Sequence, residues 1–100
     1  MGIAQSNGTM FFITQHQIMN CDNHIINKMS KPIKQVYNNL LLFENGQIYN
    51  ITTNKINTTV ADVIASKAGD IYYTNNNLLY KNNNAVLINN FPLQIKAICI

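Results

Sequence analysis

Four carboxylates, two histidines and two cysteines are the residues of this 100-residue chain that could perform acid–base chemistry or bind a metal. Asp22 and His24 are the one acid–histidine pair close in sequence, and a pair satisfied within its own loop explains them better than a proton relay. Cys21-x-x-His24 has the spacing of half a zinc site, and the second half is missing. Cys99 sits in an apolar strand pattern, as a small buried hydrophobe does. Glu44 and Asp70 lie in or beside predicted turns, as does His16. No nucleophile with its base, no paired carboxylates and no ligand cluster can be assembled. The expectation is a non-enzymatic protein with no cofactor and no metal site.

The side chains suited to binding are the tyrosines, amphipathic groups that serve contact surfaces well. Tyr49 and Tyr80 occupy equivalent positions of two hairpins, where packing between repeats is expected. Strand alternation sends one of Tyr72 and Tyr73 outward. Tyr72, Tyr73 and Tyr37 are therefore the candidate contact residues for a protein partner or a second copy of the chain. A lectin-like carbohydrate site is the alternative, with Asn amides clustered beside an exposed tyrosine in each repeat. A continuous apolar edge would favour assembly with other subunits.

The elements that must hold these residues recur. An apolar run, a polar turn and an apolar pair appear as Phe11-Phe12-Ile13-Thr14 before Gln17-Ile18-Met19, then as Leu40-Leu41-Leu42-Phe43 before Gln47-Ile48-Tyr49. They appear again as Ile71-Tyr72-Tyr73-Thr74 before Leu78-Leu79-Tyr80. Ile18 and Ile48 are 30 positions apart, and Ile48 and Leu79 are 31 apart. A period of that size is the signature of repeat architectures. Asn45-Gly46 is a strong hairpin signal because both residues accept positive φ, and Asn76-Asn77 can serve likewise.

Ahead of the second and third hairpins stand Ile33-Lys34-Gln35-Val36 and Val60-Ala61-Asp62-Val63, with Ile95-Lys96-Ala97-Ile98 beginning a fourth copy. Pro32 and Pro92 precede two of these quartets, as suits a strand start. Apolar patches follow each hairpin at 24–26, 56–60 and 85–88. Each unit then reads as four short strands, with repeats at 1–32, 33–59 and 60–94 and the start of a fourth at 95–100. Residues 58–67 also carry a helical pattern, with Gly69 as a stop, but their alignment with the other quartets favours strand.

Composition narrows the function classes. Charged residues make up 11% and apolar ones 47%. Asparagine supplies much of the polarity, with 18 residues. Together with 15 isoleucines and seven lysines in the absence of arginine, this is the codon bias of an AT-rich genome. Sequons at Asn7, Asn50 and Asn57 are close to the number chance would place there. The net charge of +3 comes from scattered lysines, and without arginine forks the chain lacks the footprint of a nucleic-acid binder. No apolar stretch approaches a membrane span and no signal peptide is expected, so a cytoplasmic location is the default. Met1-Gly2-Ile3-Ala4-Gln5-Ser6 matches the N-myristoylation pattern, although no polybasic segment supplies a second anchor.

Four-stranded units with this grammar resemble the blades of a β-propeller, in particular the repeats of the regulator of chromosome condensation family. Val60-Ala61-Asp62-Val63 leads through Gly69 and the 71–74 strand to Leu79-Tyr80. Residues 33–36 lead through 40–43 to Gly46-Gln47-Ile48-Tyr49. The family's Gly-x-x-His element is missing, with Tyr37-Asn38-Asn39-Leu40 in its place in the second copy, and the copies are shorter. The resemblance implies architecture only: an all-β fold of about three four-stranded antiparallel repeats, a partial or oligomer-completed β-propeller. A β-trefoil is the alternative. Propellers close with about four to eight blades, so three would act within a larger assembly.

Overall fold

A computed structural model of the chain describes residues 2–57, 59–76 and 78–82, together with the backbone of 84–88. The fold is all-β, with no helix among the described residues. Three four-stranded antiparallel sheets follow one another along the chain, each with its strands in sequence order. The first holds β1 (Gly2–Ser6), β2 (Thr9–Ile13), β3 (Gln17–Met19) and β4 (Ile25–Lys28). The second holds β5 (Ile33–Tyr37), β6 (Leu40–Phe43), β7 (Ile48–Asn50) and β8 (Lys55–Asn57). The third holds β9 (Val63–Lys67), β10 (Asp70–Asn75), β11 (Leu78–Lys81) and β12 (Asn84–Ile88).

Turn chemistry explains the meanders. The first hairpin of each sheet turns at Asn7-Gly8, Asn38-Asn39 and Ala68-Gly69, with φ of 51° at Asn7 and Asn38 and 53° at Ala68. Asparagine and glycine accept this left-handed backbone readily, whereas alanine does so at a cost. The third turns carry Asn23, Asn54 and Asn82, also at positive φ.

The second turn of the middle sheet differs from the two-residue form that Asn45-Gly46 suggested. Gly46 N–H donates to the Phe43 carbonyl at 2.9 Å, and Phe43 N–H donates to the Gln47 carbonyl at 2.9 Å. Glu44, Asn45 and Gly46 thus form a three-residue loop in which Gly46 alone is left-handed (φ 92°). The Asn45 carboxamide oxygen accepts the Gln47 N–H and steadies this loop.

The sheets stack face to face, with the first strands β1, β5 and β9 in neighbouring positions. Leu40, Leu41, Leu42 and Phe43 are all buried because β6 lies in the central sheet with a neighbour on each side. Alternation divides them. Leu41 and Phe43 join Ala4, Ile13 and Ile18 of the first sheet in one core, together with Ile33 and Tyr49. Leu40 and Leu42 join Ile48, Ile64 and Tyr73 in the other. Each fully buried leucine contributes about 2 kcal/mol relative to exposure.

Polar bonds align the stack. The Gln35 carboxamide grips the Ile64 peptide at both ends, donating to its carbonyl at 3.1 Å and accepting its N–H at 3.0 Å. Gln5 N–H donates to the Asn38 carbonyl at 2.9 Å. Ala61 N–H donates to the Gly46 carbonyl at 2.7 Å, and Asp62 N–H to the Thr74 carbonyl at 2.8 Å, so the linker binds both sheets it joins. The Val60-Ala61-Asp62-Val63 quartet is therefore mostly linker, and its strand begins only at Val63. The helical pattern at 58–67 yields to strand β9, whose residues complete the second core. The fourth copy at 95–100, with Pro92, Cys99 and Asn77, lies outside the described residues.

Candidate interaction surface

The chemistry-bearing residues of the β3–β4 turn are turn-formers. The Asn20 carboxamide oxygen accepts the N–H groups of Asp22 at 2.9 Å and His24 at 3.0 Å, and both residues are exposed. Cys21 is exposed, with Sγ 3.6 Å from the Met10 carbonyl oxygen. Asp70 meets Lys81 at 3.6 Å and accepts a bond from the Asn82 amide. The Asp62 carboxylate accepts the Asn76 N–H at 3.2 Å, fixing a turn residue whose φ is 52°. Among the described residues, no three His, Cys, Asp or Glu side chains gather to hold a metal.

The tyrosines divide according to strand parity. Tyr73 is only 2% exposed and stacks on Tyr80 at 5.0 Å, inside the second core, which removes it from any partner's reach. Tyr37 is half-buried against the same core. Tyr72 is the outward member of the pair, half-exposed beneath the Lys81 ammonium at 5.9 Å. The Tyr49 hydroxyl donates to the Asn54 carboxamide oxygen. The three candidates do not converge on one surface patch.

Strand register identifies a surface that the tyrosines did not. In the second sheet, Val36, Leu41, Tyr49 and Ile56 pair successively across all four strands. The inner three members of this row pack on the first sheet. In the third sheet the corresponding row begins Ile64, Tyr73 and Tyr80, and it packs on the second sheet. The matching row of the first sheet is Ile3, Phe12, Met19 and Ile25.

Among the described residues no sheet lies in front of that row. Ile3 is 55% exposed and Phe12 44%, and Met10 is exposed beside them. Ile25 is 47% exposed and its counterpart Ile56 is 52% exposed, so the outermost strand is open whether or not a neighbouring sheet exists. The difference lies in the inner strands, where Leu41 and Ile64 are closed and Phe12 and Ile3 are open. We call this the leading face of the first sheet. Its apolar side chains are contiguous, a size of patch that marks contact sites on soluble proteins.

On the opposite side of the same sheet, an open cleft of about 360 Å³ separates it from the second sheet, lined by Phe11, Ile18, Ile26, Tyr49 and Ile51 among others. Gly2 of the acylation pattern opens β1 and pairs with Ile13. No described helix is long and apolar enough to cross a membrane. No known protein family, curated protein or solved structure matches this chain.

Proposed function

We propose that this chain is a non-enzymatic protein-interaction module built on β-propeller-like repeats and working within a larger assembly. The observation that carries this reading is the leading face of the first sheet. It has the register and apolar character of two faces that are buried elsewhere in the same chain, but it stands uncovered. Exposing such a row costs solubility unless something covers it.

The stacking of separate four-stranded meanders with their first strands adjacent supports blades over a trefoil, and agrees with the resemblance to chromosome-condensation repeats. A ring would need further blades from a partner. A lectin-like site gains less support, because the outward Tyr72 lies under Lys81, where the lectin reading requires a cluster of Asn amides.

Methionine footprinting tests the reading, since Met10 and Met19 lie on the leading face. Both should resist oxidation several-fold better in the cells that make the protein than in the purified, diluted chain. Equal oxidation in the two settings would remove the partner from the account.

A further inference from the structure

We propose that the occupant of the leading face is the same face of a second copy, forming a two-fold dimer through Ile3, Phe12, Met19 and Met10. This rests on the reading of that face as an interaction surface and adds the identity of the partner. Two ways of joining copies are conceivable. Head-to-tail stacking would set the leading face of one copy on the far face of the other copy's third sheet. That far face carries Val63, Ala65 and Thr74, by their pairing with Thr74, Tyr72 and Val63. These residues are 9%, 0% and 1% exposed and Tyr72 on the same face is half-exposed, so among the described residues this face carries no large apolar side chain as open as Ile3 or Phe12. Among the described residues Ile3, Met10, Phe12 and Ile25 give the leading face the largest group of exposed apolar side chains, and a two-fold contact uses a single face twice.

The chemistry of the face permits self-pairing. Its inner rows are Ile3 with Phe12 and Met19, and Gln5 with Met10, none of them charged. Lys28, paired with Gln17 at the rim, is the nearest charge carried by β4. The centre of a two-fold contact would therefore hold no charged side chain, with Lys28 at its rim, and Phe12 would meet the partner's apolar row. The exposed parts of Ile3, Met10, Phe12 and Ile25 come to roughly 400 Å² per copy, within the range of functional patches. Two such patches give roughly 800 Å², and with a polar rim this reaches the lower limit of specific interfaces, near 1,000 Å². A dimer of that size dissociates on dilution.

The experiment is sedimentation equilibrium of the full chain between about 1 and 300 µM, spanning the affinities expected of small interfaces. The mass should double across that range. Phe12→Lys and Met10→Lys should each weaken dimerisation at least about tenfold, as loss of a central anchor does. Ile26→Lys, equally exposed on the opposite side of the sheet, should leave it unchanged. Amide dispersion of each variant by NMR establishes that it is folded. A dimer insensitive to both leading-face variants, or growth beyond dimers, would overturn the proposal. So would a monomer at every concentration. If a monomer is found but Met10 and Met19 are protected in cells, self-pairing fails and the interaction reading survives; if the methionines are unprotected as well, both fail.

Discussion

Gly46→Ala probes the joint between the second and third sheets at one atom. A Cβ on Gly46 would lie 2.6 Å from Val60 Cγ1, 3.2 Å from Ala61 N and 3.3 Å from the Ala61 carbonyl oxygen. The Gly46 carbonyl also receives the Ala61 N–H at 2.7 Å, so the linker cannot withdraw without breaking that bond. Holding alanine in the left-handed conformation (φ 92°) costs about 1–2 kcal/mol. Overpacking against Val60 adds about 1–2 kcal/mol. The total is roughly 3 kcal/mol, which lowers Tm by about 12–24 °C in a domain of this size.

Gly8→Ala supplies the control, because Gly8 has φ of 80° and a Cβ added there would meet nothing within 4 Å. It should lose only the conformational part, about 1–2 kcal/mol. Val60 is half-exposed, so Val60→Ala alone should cost little, and in the Gly46→Ala background it should restore about 1 kcal/mol by relieving the overlap. Urea denaturation of the four variants reads all these differences. Equal losses for Gly46→Ala and Gly8→Ala, with no rescue by Val60→Ala, would refute the packing of the linker against the second turn.

Three further substitutions test separate parts of the stack. Gln35→Ala strips the Ile64 peptide of both its partners and should cost about 1–3 kcal/mol in chemical denaturation. Thr74→Val should be neutral or stabilising by up to about 1 kcal/mol, because the buried Thr74 hydroxyl has no hydrogen-bond partner among the described residues. Ala68→Asn should raise stability by about 0.5–1 kcal/mol, since asparagine tolerates the left-handed position that alanine holds under strain; thermal melts check both signs.

The hairpins are legible in the sequence because the apolar run Leu40–Phe43 and the apolar pair that opens Ile48–Asn50 flank an obvious turn. The first turn of each sheet is harder to read. Asn7-Gly8 and Asn38-Asn39 carry turn chemistry, but Ala68 carries no signal for positive φ, which hides the third member of the set. The spacing of 31 and 30 residues between those turns matches the hairpin period. Val60-Ala61-Asp62-Val63 copies the apolar spacing of 33–36 by coincidence, and the backbone bonds of Ala61 and Asp62 turn it into a linker. Alternation alone sets Tyr72 and Tyr73 in opposite directions, yet only packing decides which face of a strand is inward. The leading face leaves no mark in the sequence at all. A strand row such as Ile3, Phe12 and Met19 has the same composition whether or not a sheet lies against it.

The most direct measurement is the broadening of side-chain methyl signals by a soluble nitroxide, recorded over a dilution series. At the lowest concentration the Ile3 and Met10 methyls should broaden strongly while those of Leu41 and Ile64 are spared, and the protection of Ile3 should grow as concentration rises. Ile3 as protected as Ile64 in the most dilute sample, or Ile64 as accessible as Ile3, would contradict the account.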